Sequence, residues 1–488
     1  MYIGIDLGST NLKVVLYDNS MTAVARKASP VVYHRENGFV EFDAKTYVNG
    51  LLDLLRELAK EQDLSELDGI SFTGQAESLV CLDKDGEAVY PIISWMDERS
   101  NEECHILEGQ FSDEICRKMT GQQAVLPTWP ATKILWLKRH EPETFENVAT
   151  YMLLKDYLVY CLTGKMCADM SIATFSFYFD IYGKCYWKDM LDAIGISEAQ
   201  LPPLVEPCTV AGTLKEAIAN DLGVKKAVSV NVGTLDHFAG MVGSGNIAPG
   251  NVTLSTGTTM VLAVMTEGRP IVGCDTAVHY GFLPNTYVLL PVIESGGMCL
   301  EWFRHHCMND MDYRALDGEL LSVDTEKSPL FLPYICGTNS PEFDKEATGV
   351  FYGLRAEHTA YDMAWAVVEG VCFTLKKNCE YLAERDASVS RILAIGGGAK
   401  SAIWCQAQAD ITGLPVVVPS ETEAACLGAV ILAAVSDGVY PNLKSACDAM
   451  VKVAKEYAPH ARSEIAKKYG KFKKLYDAML SIEREGVV

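Results

Sequence analysis

Two stretches, roughly half a chain apart, repeat one design, and that repetition narrows the fold more than any other feature of this sequence. The first runs Tyr2-Ile-Gly-Ile5, then Asp6-Leu-Gly-Ser-Thr-Asn-Leu-Lys13, then Val14-Val-Leu-Tyr17. Apolar runs on both sides read as strands, so the polar centre is a hairpin turn with Asp6 at its entrance and Lys13 at its exit. Gly8 lets backbone amides approach an anion closely, and the hydroxyls of Ser9 and Thr10 add donors. A carboxylate such as Asp6 beside that loop suits Mg2+, commonly through water. Alone, the pattern serves an ordinary Gly-Ser hairpin as well as it serves a phosphate site. The second copy, Val252-Thr-Leu-Ser-Thr-Gly257-Thr-Thr-Met-Val-Leu-Ala-Val264, again reads strand, hydroxyl-lined glycine turn, strand. The expectation is a duplicated architecture, two similar lobes facing one nucleotide.

A third glycine segment, Ile392-Leu-Ala-Ile-Gly-Gly-Gly398-Ala-Lys-Ser401, follows a buried strand and leads into a helical pattern carrying Trp404, Gln408 and Ile411. Glycines at such a turn let backbone lie against a ligand, and a helix N-terminus favours negative charge. The spacing is not that of a dinucleotide fingerprint. Asp236 ends another buried strand (Val228-Ser-Val-Asn-Val232 leading to Gly233-Thr-Leu-Asp236). A carboxylate there can accept a proton from an alcohol, and it can equally cap the helix that follows. Gln75 and Glu77 stand just past a strand end, as do Trp95 and Asp97. Amides and carboxylates bind sugar hydroxyls, and an indole face covers C–H surfaces; singly, each also serves to stabilise a loop.

Bulk properties exclude several classes. At 488 residues the chain exceeds one core, and 49% apolar with 22% charged residues is ordinary globular composition. A net charge of −22 argues against nucleic acid and anionic membranes as partners. Sixteen scattered cysteines, with no C-x-x-C pair, read as reduced cytosolic thiols rather than a disulfide framework. His305-His306-Cys307 looks metal-like, but neighbours on a helix point apart. The longest apolar run, Ala424 to Val435, is short of the ~20 residues that span a bilayer. It reads as a buried helix. No signal peptide is evident at the N-terminus, so the expected location is cytoplasmic.

Along the chain, an amphipathic helix is expected over 47–60, strands at Gly69–Thr73 and Val80–Asp83, and a mostly helical insertion over about 97–200. A hinge at Asn246-Ile-Ala-Pro-Gly250 opens the second half. That half holds a helix from Gly297, a long helix from Tyr361 to Leu382, and a charge-mixed helical tail. The boundaries are 1–245 for the N-terminal lobe, 246–440 for the C-terminal lobe and 441–488 for the tail.

Taken together, these residues resemble the FGGY family of carbohydrate kinases, over roughly residues 1–440. The resemblance rests on the Asp6–Lys13 hairpin and on Pro130-Ala-Thr-Lys133-Ile-Leu-Trp136-Leu. It rests also on Gly349-Val-Phe-Tyr-Gly353-Leu354 with Asp362 and Glu369, and on Ser255–Thr259, Ser295–Gly297 and Gly396–Ala399. Thr128 departs from the first signature. The resemblance implies an α/β, two-lobed actin/hexokinase-like (ribonuclease H-like) ATPase fold with an interlobe cleft, whose closure would exclude water. It makes Asp236 the general base and Asp6 the Mg2+ organiser. Gly8, Ser9, Thr10, Lys13, Gly257 and Thr258 would contact the phosphates of ATP, and Gly297, Gly397, Gly398 and Ser401 would lie nearer the nucleoside. Gln75, Ala76, Glu77, Trp95, Asp97, Asp236 and His237 would form the sugar site, with Glu77 and Asp97 as hydroxyl ligands. The partner is then a small sugar or polyol, and a homodimer is the assembly left open.

The details are closest to the xylulokinase-like group, through Trp95-Met-Asp97-Glu-Arg99 and the overall length. Xylulokinases typically carry His where Glu77 stands and Asn where His237 stands. The glycerol kinase branch shares Glu77 but has Arg in place of Ala76. The expected substrate is a ketopentose such as xylulose, with glycerol or another polyol, or gluconate, as alternatives. A nucleotide-switched chaperone or filament ATPase is the rival from another class, and a catalytically idle sugar-binding relative is a second.

Overall fold

Ile3, Ile5 and Leu7 are fully buried, and the strand they define, β1 (Tyr2–Leu7), lies inside a six-stranded sheet. The computed structural model describes residues 1–268 and 276–485. It divides into two units: Met1–Ile247 with Glu267–Val288 and Glu423–Val451, and Ala248–Thr266 with Leu289–Thr422 and Lys452–Val488.

In the first unit β1 pairs antiparallel with β2 (Asn11–Tyr17), which pairs antiparallel with β3 (Ala23–Pro30). On its other edge β1 pairs parallel with β4 (Gly69–Gly74). Beyond β5 (Val210–Thr213), the strand β6 (Ser229–Leu235) returns parallel to β4, giving the order β5-β6-β4-β1-β2-β3. The carboxyl ends of β1, β4 and β6 therefore open on the same side, where ligands bind in sheets of this kind. One face is covered by α1 (Ala44–Glu61), whose Leu51, Leu54, Leu55 and Leu58 join the core. Asp43 caps it, accepting from Thr46 N at 2.6 Å. Burying each such leucine contributes about 2 kcal/mol.

The apolar run near the C-terminus packs in this unit rather than the second. The helix Ala424–Ser436 lies against β1 and β4 and against the helix that follows β6. A Cβ on Gly428 would collide with the Ala239 carbonyl, and one on Gly243 with that of Ala424. Two glycines thus let the helix backbones touch. This is why residues 423–451, divided by the sequence reading between a 246–440 lobe and a 441–488 tail, group with the first unit: the packing partner decides membership, not position along the chain. Among the described residues, no helix is long and apolar enough to cross a membrane.

The second unit repeats the first unit's central motif. Its hairpin is β7 (Asn251–Thr256) and β8 (Met260–Glu267), and β7 pairs parallel with β9 (Arg391–Gly396). The sheet continues through β10 (Val416–Pro419) to β11 (Val453–Tyr457). The last strand falls where a wholly helical tail was expected. Four of its five residues are exposed, so the strand has no apolar alternation to announce it.

Candidate active site

In the first unit, parallel register sets Asp6 beside Thr73 and Leu7 beside Gly74, and sets Thr234 beside Thr73 and Leu235 beside Gly74. Asp6 thus lies level with Thr234, and Asp236 follows two residues on, just past the end of β6, with β4 between the two strands. At about 4.8 Å per strand, the two strand ends stand about 10 Å apart.

Several features aim Asp236. Register slips between Asn231 and Thr234, where Gly233 takes a φ of +69° and a Cβ would strike the Phe72 carbonyl. Such a bulge re-aims the strand end. Asn231 Oδ1 accepts from Gly233 N at 2.8 Å, Ser171 Oγ and Thr234 Oγ1 lie 2.7 Å apart, and buried Lys155 donates to Val232 O at 2.8 Å. Lys155 is itself paired with Asp156 and Asp169. Asp236 is then the first residue of the helix Asp236–Ser244, and its Oδ1 accepts from His237 N at 2.6 Å.

Asp6 faces Lys13 across the hairpin. Its Oδ1 is buried with no hydrogen-bond partner, and burial together with the nearby Asp236 charge pushes its carboxyl up to about 7. An oxygen ligand without a partner, repelled by a second carboxylate, is what a hard dication relieves. The residues present fit Mg2+. Lys13 forms an ion pair with Glu423 at 2.7 Å, a partner 410 residues away that sequence reasoning did not find. Glu423 precedes the buried helix 424–436, so the start of that helix also tethers Lys13 of the hairpin.

The expected sugar residues separate into two groups. Gln75 N donates to Leu7 O at 3.1 Å, Gln75 Oε1 accepts from Ser78 Oγ at 3.0 Å, and Ser78 Oγ accepts from Trp95 N at 3.1 Å. Gln75 Nε2 remains without a partner, a buried donor beside the strand ends, and Trp95 is exposed. Ala76 is buried, and His237 is half-buried beside Asp236. Glu77 follows with a φ of +67°, a left-handed conformation costly for a residue with a side chain. Lys133 helps hold it there, donating to Glu77 O at 3.1 Å and to Ser94 O at 2.8 Å. Burial raises the Glu77 carboxyl and lowers the Lys133 ammonium. Thr128, the departure from the family signature, lies near the Glu77 side chain and acts to lower its carboxyl, against the larger effect of burial.

Asp97 does not belong with them. It has no exposed surface, and all its acceptor capacity is taken: Val40 N at 2.6 Å, Arg99 Nη2 at 2.7 Å, Arg99 Nε at 2.8 Å and Arg99 N at 3.0 Å. It anchors the loop rather than reaching a sugar hydroxyl. Asp362 and Glu369, part of the other signature, are also structural. Asp362 completes a capping box with Thr359 on the helix Ala360–Ala383, and Glu369 pairs with Lys468 at 2.5 Å.

In the second unit the glycine segments converge. Gly297 N donates to Gly257 O at 2.9 Å, and Met298 N to Thr258 O at 3.0 Å. A Cβ on Gly297 would collide with the Gly257 carbonyl, and one on Gly398 would lie 2.6 Å from Thr256 Cγ2. Gly257, Thr258, Gly297, Gly397 and Gly398 therefore form one backbone-lined surface. Ser401 is the N-cap of the helix Ala402–Thr412, its Oγ accepting from Trp404 N at 3.1 Å. Its hydroxyl proton goes to Asp317 Oδ1 at 3.0 Å, a partner the sequence did not disclose. The expected ligand contact of Ser401 thus competes with two internal bonds.

Solved structures match this architecture along nearly its whole length. The crystal structure of ligand bound xylulose kinase from Lactobacillus acidophilus matches with TM-score 0.89 and 25% identity, covering 99% of this chain and 98% of that one. That of gluconate kinase from Lactobacillus acidophilus matches with TM-score 0.88 and 25% identity, covering 99% and 97%. The fold is the two-domain α/β fold of sugar kinases. The family model described as the FGGY family of carbohydrate kinases, N-terminal domain, matches residues 1–243, and the C-terminal domain model matches residues 252–436. The chain belongs to the FGGY family of carbohydrate kinases. The xylulose kinase of Escherichia coli (strain K12) is 32% identical over 421 residues, 85% of this chain and 85% of that one. The activity is phosphoryl transfer to an alcohol group of a sugar, and membership in a kinase family implies ATP as the donor.

Proposed function

We propose that this enzyme phosphorylates a small neutral keto sugar, a ketopentose such as xylulose, with Asp236 as general base. The observation that carries the reading is the placing of Asp6, Gln75 and Asp236 at the carboxyl ends of three neighbouring parallel strands. Phosphoryl transfer asks for positioning and charge neutralisation more than covalent chemistry. Asp236 takes the proton of the attacking sugar hydroxyl as its oxygen bonds to the terminal phosphorus of ATP, the bond from that phosphorus to the bridging oxygen breaks, and ADP leaves with the electron pair. Lys13 and the amides and hydroxyls of Gly8, Ser9, Thr10, Gly257 and Thr258 bind phosphate oxygens. Gly297, Gly397 and Gly398 take the nucleoside. Asp6 holds Mg2+, which when bound neutralises phosphate charge.

Gln75, Glu77, Trp95 and His237 bind the sugar. Relatives that are xylulose kinases favour xylulose, and one structural neighbour is a gluconate kinase. The Asp236 carboxylate works against an anionic substrate, since like charges at close range repel. A neutral acceptor follows. In this reading the unit bearing Asp236 binds sugar, the unit bearing Gly257 binds nucleotide, residues 441–488 serve structure, and the enzyme works in the cytoplasm.

Coupled ADP release against xylulose, pentitols, glycerol and gluconate tests it. Xylulose should give the highest kcat/KM and gluconate none. ATP hydrolysis indifferent to every sugar would overturn the reading in favour of a switch-type ATPase.

A further inference from the structure

The turn after β9 is hydrogen-bonded to an acid that the scheme above leaves without a task. Asp317 lies on the helix Tyr313–Leu320, half-buried, and its Oδ1 accepts from Ser401 Oγ at 3.0 Å. Since Ser401 Oγ also accepts from Trp404 N, the serine hydroxyl is engaged both as donor and as acceptor. The group with capacity to spare at this turn is the Asp317 carboxylate, which has a second oxygen.

An acid here redistributes the ligand. A helix N-terminus ordinarily draws an anion. A carboxylate bonded to the N-cap residue of the helix Ala402–Thr412 already supplies that negative charge and repels a phosphate arriving at the same place. The hairpin turn of the same unit, Gly257-Thr-Thr259, carries no charge and offers hydroxyls and backbone. Phosphate chemistry therefore suits the hairpin, and the uncharged part of the nucleotide suits the Gly396–Ser401 turn. Carboxylate oxygens only accept, so their partner must bring an O–H or N–H.

We infer that Asp317 is a nucleotide-specificity residue that accepts a hydrogen bond from a donor of the nucleoside, a ribose hydroxyl or an exocyclic base amine. This rests on the reading of the second unit as nucleotide-binding. The hydrogen bond to Ser401 holds one carboxylate oxygen, so the other is presented in a fixed direction.

Calorimetric titration of the whole chain with the Mg2+ complexes of ATP, 2′-deoxy-ATP, 3′-deoxy-ATP and inosine triphosphate tests the inference without requiring turnover. The wild type should bind ATP about tenfold more tightly than whichever analogue lacks the donor, the scale of one hydrogen bond to a charged group. Loss with a deoxy analogue assigns the ribose, and loss with inosine triphosphate assigns the amine. Asp317→Asn keeps an oxygen for Ser401, and should bind ATP about tenfold more weakly and erase that preference. Inorganic tripolyphosphate should bind both proteins alike, which a collapse of the fold would not allow. Equal affinity of the wild type for all four nucleotides would overturn the inference, whether or not the variant folds. So would an Asp317→Asn protein that keeps the wild-type preference. A chain that binds none of the four would instead remove the nucleotide reading beneath it.

Discussion

Aligned on their turn glycines, the hairpin of the first unit reads Asp6-Leu-Gly-Ser-Thr10 and that of the second reads Ser255-Thr-Gly-Thr-Thr259. Each has an antiparallel return strand and a parallel neighbour on the opposite edge. The loads differ. Asp6 faces Lys13, whereas Ser255 faces Val261. In the first unit a charged pair is held at the strand ends, one oxygen of it without a partner. In the second, close-packed glycines expose backbone and little else. The same geometry has been given electrostatics in one copy and shape in the other. Substitutions should therefore act on turnover in the first and on nucleotide affinity and packing in the second.

The largest effect is expected at Asp236. Asp236→Asn should cut kcat by about a hundredfold or more, the scale of general-base loss, while ATP affinity measured by calorimetry stays near that of the wild type. Unchanged turnover would strip the first unit of its chemical role. Next in size is Gly297→Ala, which drives a methyl group into the Gly257 carbonyl. Overpacking of that kind costs about 1–3 kcal/mol, seen as a lowered Tm and a weakened ATP titration, with the sugar KM little changed. Gly257→Ala is the contrast, because its nearest neighbour would be Thr259 O at 3.9 Å. Equal losses at the two glycines would blur the picture of a backbone surface built by close approach.

Smaller effects are expected at Glu77. Glu77→Gln should reduce sugar use more than sugar-independent ATP hydrolysis, and equal losses would make the residue structural. A pH signature accompanies it. Burial lifts this carboxyl above its usual 4.5, so in the interval above 4.5 the folded chain holds a proton that the unfolded chain releases. Stability contributed by the group is greatest in acid and declines as pH rises through that interval. Glutamine has no such slope. Thermal unfolding from about pH 5 to pH 7 should therefore move in favour of the variant as pH rises, and a shift the other way would contradict the burial argument.

Much of the fold lay open in the sequence because its signals are local. Glycine turns between apolar runs announce hairpins wherever they fall, and Asp236 could be placed because a buried strand runs directly into it. The misses share a cause. Glu423, Lys133 and Asp317 act on residues 410, 56 and 84 positions away, through contacts that no window of sequence contains. Asp97 looked like a sugar ligand because a carboxylate past a strand end usually faces outward; Arg99, two residues on, turned it inward. The helix 424–436 was read correctly as buried, but its partner depended on Gly243 and Gly428, whose small size matters only once the two helices meet.

The identity of the phosphorylated product bears most directly on whether carboxylates at the ends of β1 and β6 serve sugar chemistry. Phosphorus NMR of the wild-type protein with MgATP and xylulose would follow it. A sugar-phosphate resonance should grow in step with ADP. Release of inorganic phosphate in its place, at a rate the sugar does not change, would contradict the account.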